Sequence, residues 1–210
     1  IPTKIVKSIY DILGIEETTN IKTCKTISSI TEAYDLYLEA KYIFQHRHDE
    51  KDIIIAKDKL SNAIKLDRDL LQAYMLNAEI LICEGKFFKS LNAYKKLLYE
   101  YIENNDKIRI ASCLNSIGDI LFFIGKPNIA ISLQNKALSI CESSNNIRGI
   151  GYVLNSIGNI HAFNNDFDRA EKSLLDSLKI RELLQDKMNI AATLGNLSLV
   201  KLNNLDFNEA

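Results

Sequence analysis

Helix breakers are nearly missing from this sequence. Two prolines and eight glycines in 210 residues leave long stretches that nothing interrupts, which favours helix throughout. Tryptophan is absent. No charge of one sign dominates: 26 basic and 27 acidic residues give a net charge of −1, which removes the electrostatic case for a nucleic-acid partner. Long apolar runs are missing too. Stretches such as Ile53-Ile54-Ile55-Ala56 fall far short of the roughly 20 residues a bilayer span needs, so no membrane partner is expected, and no signal peptide is visible. Cysteine is sparse at four: Cys24, Cys83, Cys113 and Cys141. None stands in a CxxC or a Cys/His cluster, so no structural zinc is expected, and isolated cysteines in helices read as small buried hydrophobes compatible with a reducing cytoplasm. The sequence also lacks a GxGxxG, a phosphate-binding loop, an HExxH and any Ser/His/Asp or Cys/His arrangement. No cofactor is expected, and the chain reads as non-catalytic.

What is present is repetition. Leu114 to Ile120 reads LNSIGDI, and forty residues later Leu154 to Ile160 reads LNSIGNI. Forty further on, Leu194 to Val200 reads LGNLSLV at the same phase. A fixed period of this size marks a solenoid, in which each unit buries its apolar face against its neighbours. The hydrophobic pattern predicts helix pairs over about 30–45 and 51–66, 70–84 and 86–103, 107–124 and 127–144, 147–164 and 167–185, and then 188–203 with a partner starting at Asp206. Short connections such as Glu84-Gly85-Lys86, Gly125-Lys126-Pro127, Asn164-Asn165-Asp166 and Asn203-Asn204 imply antiparallel neighbours.

Upstream, Pro2 and the spacing of Ile5, Ile9, Ile12 and Leu13 predict a short amphipathic helix ending near Gly14. A polar linker follows over 15–27. The expected organisation is therefore an N-terminal helix and linker over 1–28, then an array over 29–210 of four complete helix pairs plus a truncated fifth. A start at Ile1-Pro2 and a finish within a unit at Ala210 suggest a piece of a longer protein.

The repeat resembles the tetratricopeptide repeat family, whose unit carries a large residue at position 4, Leu at 7, a small residue at 8, a large one at 11, a turn at 15 and small residues at 20 and 27. The third unit matches with Leu114, Ile117, Gly118, Leu121, Gly125, Ala130 and Ala137. The fourth has Leu154, Ile157, Gly158, His161, Asn165, Ala170 and Ser177. The second, with Tyr74, Asn77, Ala78, Leu81, Gly85, Ser90 and Leu97, departs at Asn77 and Leu97. The fifth runs through Leu194, Leu197, Ser198, Lys201 and Leu205. The resemblance implies an all-α, right-handed superhelical solenoid of antiparallel helix pairs. In the first pair the turn around Gln45 to Asp52 carries a six-residue insertion, and its His46-Arg47-His48-Asp49-Glu50 reads as a solvated loop rather than a metal site. The stretch from Ala33 to Tyr42 further resembles the start of the repeat region in bacterial signalling proteins that carry a nucleotide cyclase or a Ser/Thr kinase domain. The forty-residue units resemble the kinesin light chain and peptide-pheromone receptor branch.

The resemblance also implies a concave face. Its candidate peptide-binding residues here are Met75, Glu79, Asn115, Asp119, Phe123, Tyr152, Asn155, Asn159 and Phe163. This set contains no lysine or arginine, which argues against a cationic clamp for acidic peptide tails. Side-chain amides both donate and accept, so Asn115, Asn155 and Asn159 suit a peptide backbone of any sequence. A second reading leaves these asparagines as solvated surface, and Phe122 as packing. The implied function is a protein-interaction module of a larger bacterial signalling protein. Two alternatives remain open: an intramolecular sensor or dimerisation region for a cyclase or kinase, and a peptide-pheromone receptor.

Overall fold

The computed structural model describes Ile12 and residues 27–209. Most of the predicted helix over 3–13, the linker, Cys24 and Ala210 lie outside the described residues. Within them there are nine helices and no strand: α1 (Ile27–Gln45), α2 (Glu50–Leu66), α3 (Leu71–Cys83), α4 (Phe87–Glu103), α5 (Lys107–Phe123), α6 (Pro127–Ser143), α7 (Ile147–Phe163), α8 (Phe167–Leu183) and α9 (Lys187–Glu209). Packing joins helices that follow one another, α1 with α2, α5 with α6, α7 with α8 and α8 with α9, as the short turns predict.

The forty-residue sequence period divides into two equal halves. Helices α4 to α8 each have 17 residues. Each turn between them is built the same way. Among the described residues those with positive φ are Gly85, Asn105, Gly125, Asn145, Asn165 and Gln185, a regular series. The amide after each one donates to a carbonyl five residues back, as in Lys86 to Leu81 at 2.8 Å, Asp106 to Tyr101 at 3.0 Å and Asp186 to Arg181 at 3.0 Å. This is the Schellman closure, which satisfies the last carbonyls of a helix and needs one left-handed residue. Glycine and asparagine adopt that conformation readily; Gln185, at φ 54°, does not. The next helix then starts at once. Asp106 caps α5 by accepting from the Arg109 amide at 3.1 Å, and Asn146 caps α7 by accepting from Gly149 at 3.0 Å. Lys126 cannot cap in this way, and α6 opens instead with Pro127, whose missing N–H is no loss there.

The described chain divides into two compact units at Leu97/Leu98, inside α4. In the unit that ends at Leu97, the fully buried Ala33, Ala40, Ala56, Ala63 and Ala73 let α1, α2 and α3 approach closely around Leu60 and Ile80. Ser90, at a small position, donates its hydroxyl to the Ala78 carbonyl at 2.7 Å and so satisfies itself where alanine would only fill space. Leu97, off-pattern by the family rule, is buried all the same. The expected insertion between the first two helices is half helix: α1 runs to Gln45 and α2 begins at Glu50, leaving four residues of connection. These four are exposed, as a solvated loop would be, and the last of them caps α2. Asp49 accepts from the amides of Lys51 and Asp52, and His46 stacks on Tyr42 at 4.3 Å.

In the unit from Leu98, the core rows are Leu114, Ile117 and Ile120 on α5, Leu133 and Ala137 on α6, Val153 and Ile160 on α7, and Leu174 on α8, all buried. Gly158 is there because of contact, not flexibility. A Cβ on it would stand 2.6 Å from Leu174 Cγ and 3.3 Å from the Ala170 carbonyl oxygen. Ser177 repeats the Ser90 device, donating to the Gly151 carbonyl at 2.7 Å. The turn expected at Asn203-Asn204 does not form, and α9 continues through it to Glu209. Helical asparagines cost only a few tenths of a kcal/mol each, too little to stop a helix by themselves.

Two substitutions test this account by urea unfolding. Gly158→Ala should destabilise by about 1–3 kcal/mol, the overpacking cost outweighing the gain in helix propensity. Gln185→Gly should stabilise by about 1 kcal/mol by removing a strained left-handed residue.

Candidate functional site

The predicted concave-face residues divide between the two units. In the unit ending at Leu97, Met75 and Glu79 lie one turn apart on α3 and are half-buried. Burial pushes the Glu79 carboxyl above its ordinary value, against the opposing pull of Lys41.

The remaining seven lie in the other unit, where α5 and α7 supply a shared recess. It has a volume of about 250 Å³ and is lined by Asp119, Phe122, Phe123, Asn155, Ser156 and Asn159. Four of these belong to the predicted set. Phe163 joins its aromatic edge: its ring meets Phe122 edge-on with centroids 5.3 Å apart, and Phe122 meets Phe123 at 5.9 Å. Phe123 and Phe163 are each 63% exposed, so these rings offer apolar area to solvent instead of filling the core. A larger depression on the outer face of α8, bounded by Asp168, Glu171, Lys172, Leu175, Asp176 and Lys179, is made by one helix alone and mixes both charges, so it presents no convergent chemistry.

The polar floor of the recess is a network around Asp119. Asn115 donates its amide to Asp119 Oδ2 at 3.1 Å. Gln134, fully buried on α6, donates Nε2 to Asp119 Oδ1 at 2.9 Å and to the Asn115 carbonyl at 3.1 Å. Gln134 can reach across because position 118 is glycine; a Cβ there would lie 2.7 Å from its Nε2. Two acceptors in this network, Asn115 Oδ1 and Gln134 Oε1, are buried and have no hydrogen-bond partner among the described residues. Burial drives the Asp119 carboxyl up to about 6, and the bonds from Ser156, Asn115 and Gln134 pull the other way without cancelling it.

The asparagines therefore have different roles. Asn115 is committed to Asp119 and is not a free groove amide. Asn155 is held by its carbonyl oxygen, which accepts from Arg181 at 3.3 Å and from Asn196 at 3.4 Å; its amide nitrogen makes no hydrogen bond within the described residues. The Asn159 side chain makes none at all within them. Tyr152 is tethered too, accepting from Asn189 at 3.1 Å, with the Arg181 guanidinium 5.6 Å from its ring centre. Arg181 is buried and further donates to Thr193 and to the Asn189 carbonyl, and burial holds its pKa below the ordinary value.

Gln134, Ser156 and Arg181 are absent from the sequence-based set. A signal for two of them exists in the forty-residue phase. Gln134 stands where neighbouring units place Tyr94 and Leu174, and Arg181 where they place Tyr101 and Cys141, all four buried. A polar residue at a core phase is the mark of an internal network. The described residues hold no group of three or more His, Cys, Asp or Glu that could bind a metal, and no helix among them is long and apolar enough to cross a membrane.

No protein-family model matches the sequence, and no curated protein does either. Solved structures do resemble it. BtubC from P. vanneervenii is 18% identical, with a TM-score of 0.60 over 88% of this chain and 87% of its own. RapI in its apo form is 17% identical, with a TM-score of 0.66 over 84% of this chain and 65% of that one. A Rap protein complexed with Competence and Sporulation Factor is 16% identical, with a TM-score of 0.73 over all of this chain and 57% of that one. This chain thus spans roughly two thirds or less of the two Rap chains. The fold is the TPR-like helical repeat solenoid.

The elevated Asp119 gives a pH test. Its carboxyl is protonated more readily folded than unfolded, so between about pH 4 and pH 6 the native state binds the extra proton. Stability should therefore fall as pH rises through that window. Unfolding midpoints of Asp119→Asn should show a weaker fall than the native chain over the same range, the remainder coming from groups such as Glu79.

Proposed function

We propose that this chain is a non-catalytic protein-interaction module that binds an extended peptide segment of a partner along α5 and α7. The observation that carries this reading is the recess itself. The amide nitrogen of Asn155 and the whole amide of Asn159 are unengaged within the described residues, while the Asn155 carbonyl is pinned by Arg181 and Asn196. A fixed amide with free donors can pair with a peptide backbone at little cost in side-chain entropy. The exposed rings of Phe123 and Phe163 supply apolar anchors beside it. Support of a coarser kind comes from fold likeness to a Rap protein complexed with Competence and Sporulation Factor. The same chemistry would take a segment of a separate protein or of a longer parent chain, including a signalling protein.

Selection from a random linear peptide library, followed by calorimetric titration of the enriched peptides, tests the proposal. Asn155→Ala with Asn159→Ala should weaken binding on the order of tenfold. Enriched peptides that bind the double variant as tightly as the native chain would refute it.

A further inference from the structure

We infer that the recess around Asp119 is a specificity pocket for a cationic side chain, arginine or lysine, of the bound segment. The inference rests on the peptide-binding reading and adds to it the chemistry of one subsite.

Three observations lead to it. The first is charge. Asp119 is the one ionisable group lining the recess, and the groups facing it from α5, α6 and α7 are all uncharged: Asn115, Gln134, Ser156, Asn155 and Asn159. Arg181 approaches this side only through Asn155, and its own bonds to Asn189 and Thr193 hold it there. The carboxylate is thus desolvated with no counter-ion, a state that a cation from outside would relieve. The second is the supply of unused acceptors. Asn115 Oδ1 and Gln134 Oε1 lie behind the lining, buried without partners among the described residues, so the network beneath the recess has unused acceptors. The Asp119 carboxylate takes bonds from Asn115, Gln134 and Ser156, which leaves at least one lone pair of its two oxygens to offer. The third is the wall. Phe122 and Phe123 border the carboxylate, and aromatic faces next to an acid suit a guanidinium or ammonium through cation–π attraction. The raised Asp119 pKa agrees with this picture, since burial without a charged neighbour is its main cause.

The library selection distinguishes this subsite from the general groove. The native chain should enrich peptides with arginine or lysine at one fixed position. Asp119→Asn, which keeps the side-chain size, should lose that preference. An independent arm leaves the protein unchanged. Replacing the selected arginine by citrulline, its neutral isostere, should cost on the order of tenfold in affinity at about pH 7.5. The cost should shrink at about pH 5, where Asp119 is mostly protonated. Enriched peptides without a conserved cation, or equal affinity for the citrulline peptide, would overturn the inference while leaving the groove intact. Enrichment of no peptide at all would overturn both.

Discussion

A left-handed residue at a fixed interval sets the geometry of most of this protein. Gly85, Asn105, Gly125, Asn145, Asn165 and Gln185 close their helices by the same hydrogen-bond pattern, and the following helix begins within two residues. Equal helices joined by equal turns return each helix to the same phase. Residues forty apart therefore occupy equivalent places, and Asn155 on α7 stands where Asn115 stands on α5. Without that regularity the recess would have no reason to draw on both helices at once.

The close approach that the repeat demands also creates its polar chemistry. Position 118 must be small for α5 and α6 to pack, and the space it frees admits Gln134, a residue too polar to be buried without partners. Gln134 finds them in Asp119 and the Asn115 backbone. At the equivalent place forty residues on, Leu174 fills the gap over Gly158 with hydrocarbon. One packing rule thus gives an apolar contact in one pair of helices and a buried acid network in its neighbour.

Much of the architecture was legible in the sequence. Scarce breakers, the forty-residue period and the small residues Gly118, Ala130 and Ala137 led to helix pairs, and the helix bounds agree to within a few residues. The expected turn at Asn203-Asn204 does not form because asparagine only favours a turn, and helix continues through it to Glu209. The face bearing Asn155, Asn159 and Phe163 could be read from helical spacing. What could not be read was how each amide is used. Asn115 and Asn155 look alike in sequence, yet Gln134 and Asp119 occupy one while Arg181 and Asn196 hold the other. Asp119 is one turn from Asn115 on α5 itself, but Gln134, Arg181 and Asn196 come from 19 to 41 residues away on other helices, and spacing within a helix carries no information about them.

Arg181 adds a mechanical property. In a solenoid, stability divides into the intrinsic terms of single repeats and nearest-neighbour interfaces, so a disturbance fades within a unit or two. Arg181 works against that locality. Its guanidinium bonds at once to Asn155 on α7 and to Asn189 and Thr193 on α9, from its own position on α8. Three successive helices are thereby fastened by one bolt, whose head lies at Asn155 beside the recess and whose far end is sunk in α9. Loosening of α9 would be felt as slack in the Asn155 amide, and tension on that amide would be passed back along the same rod.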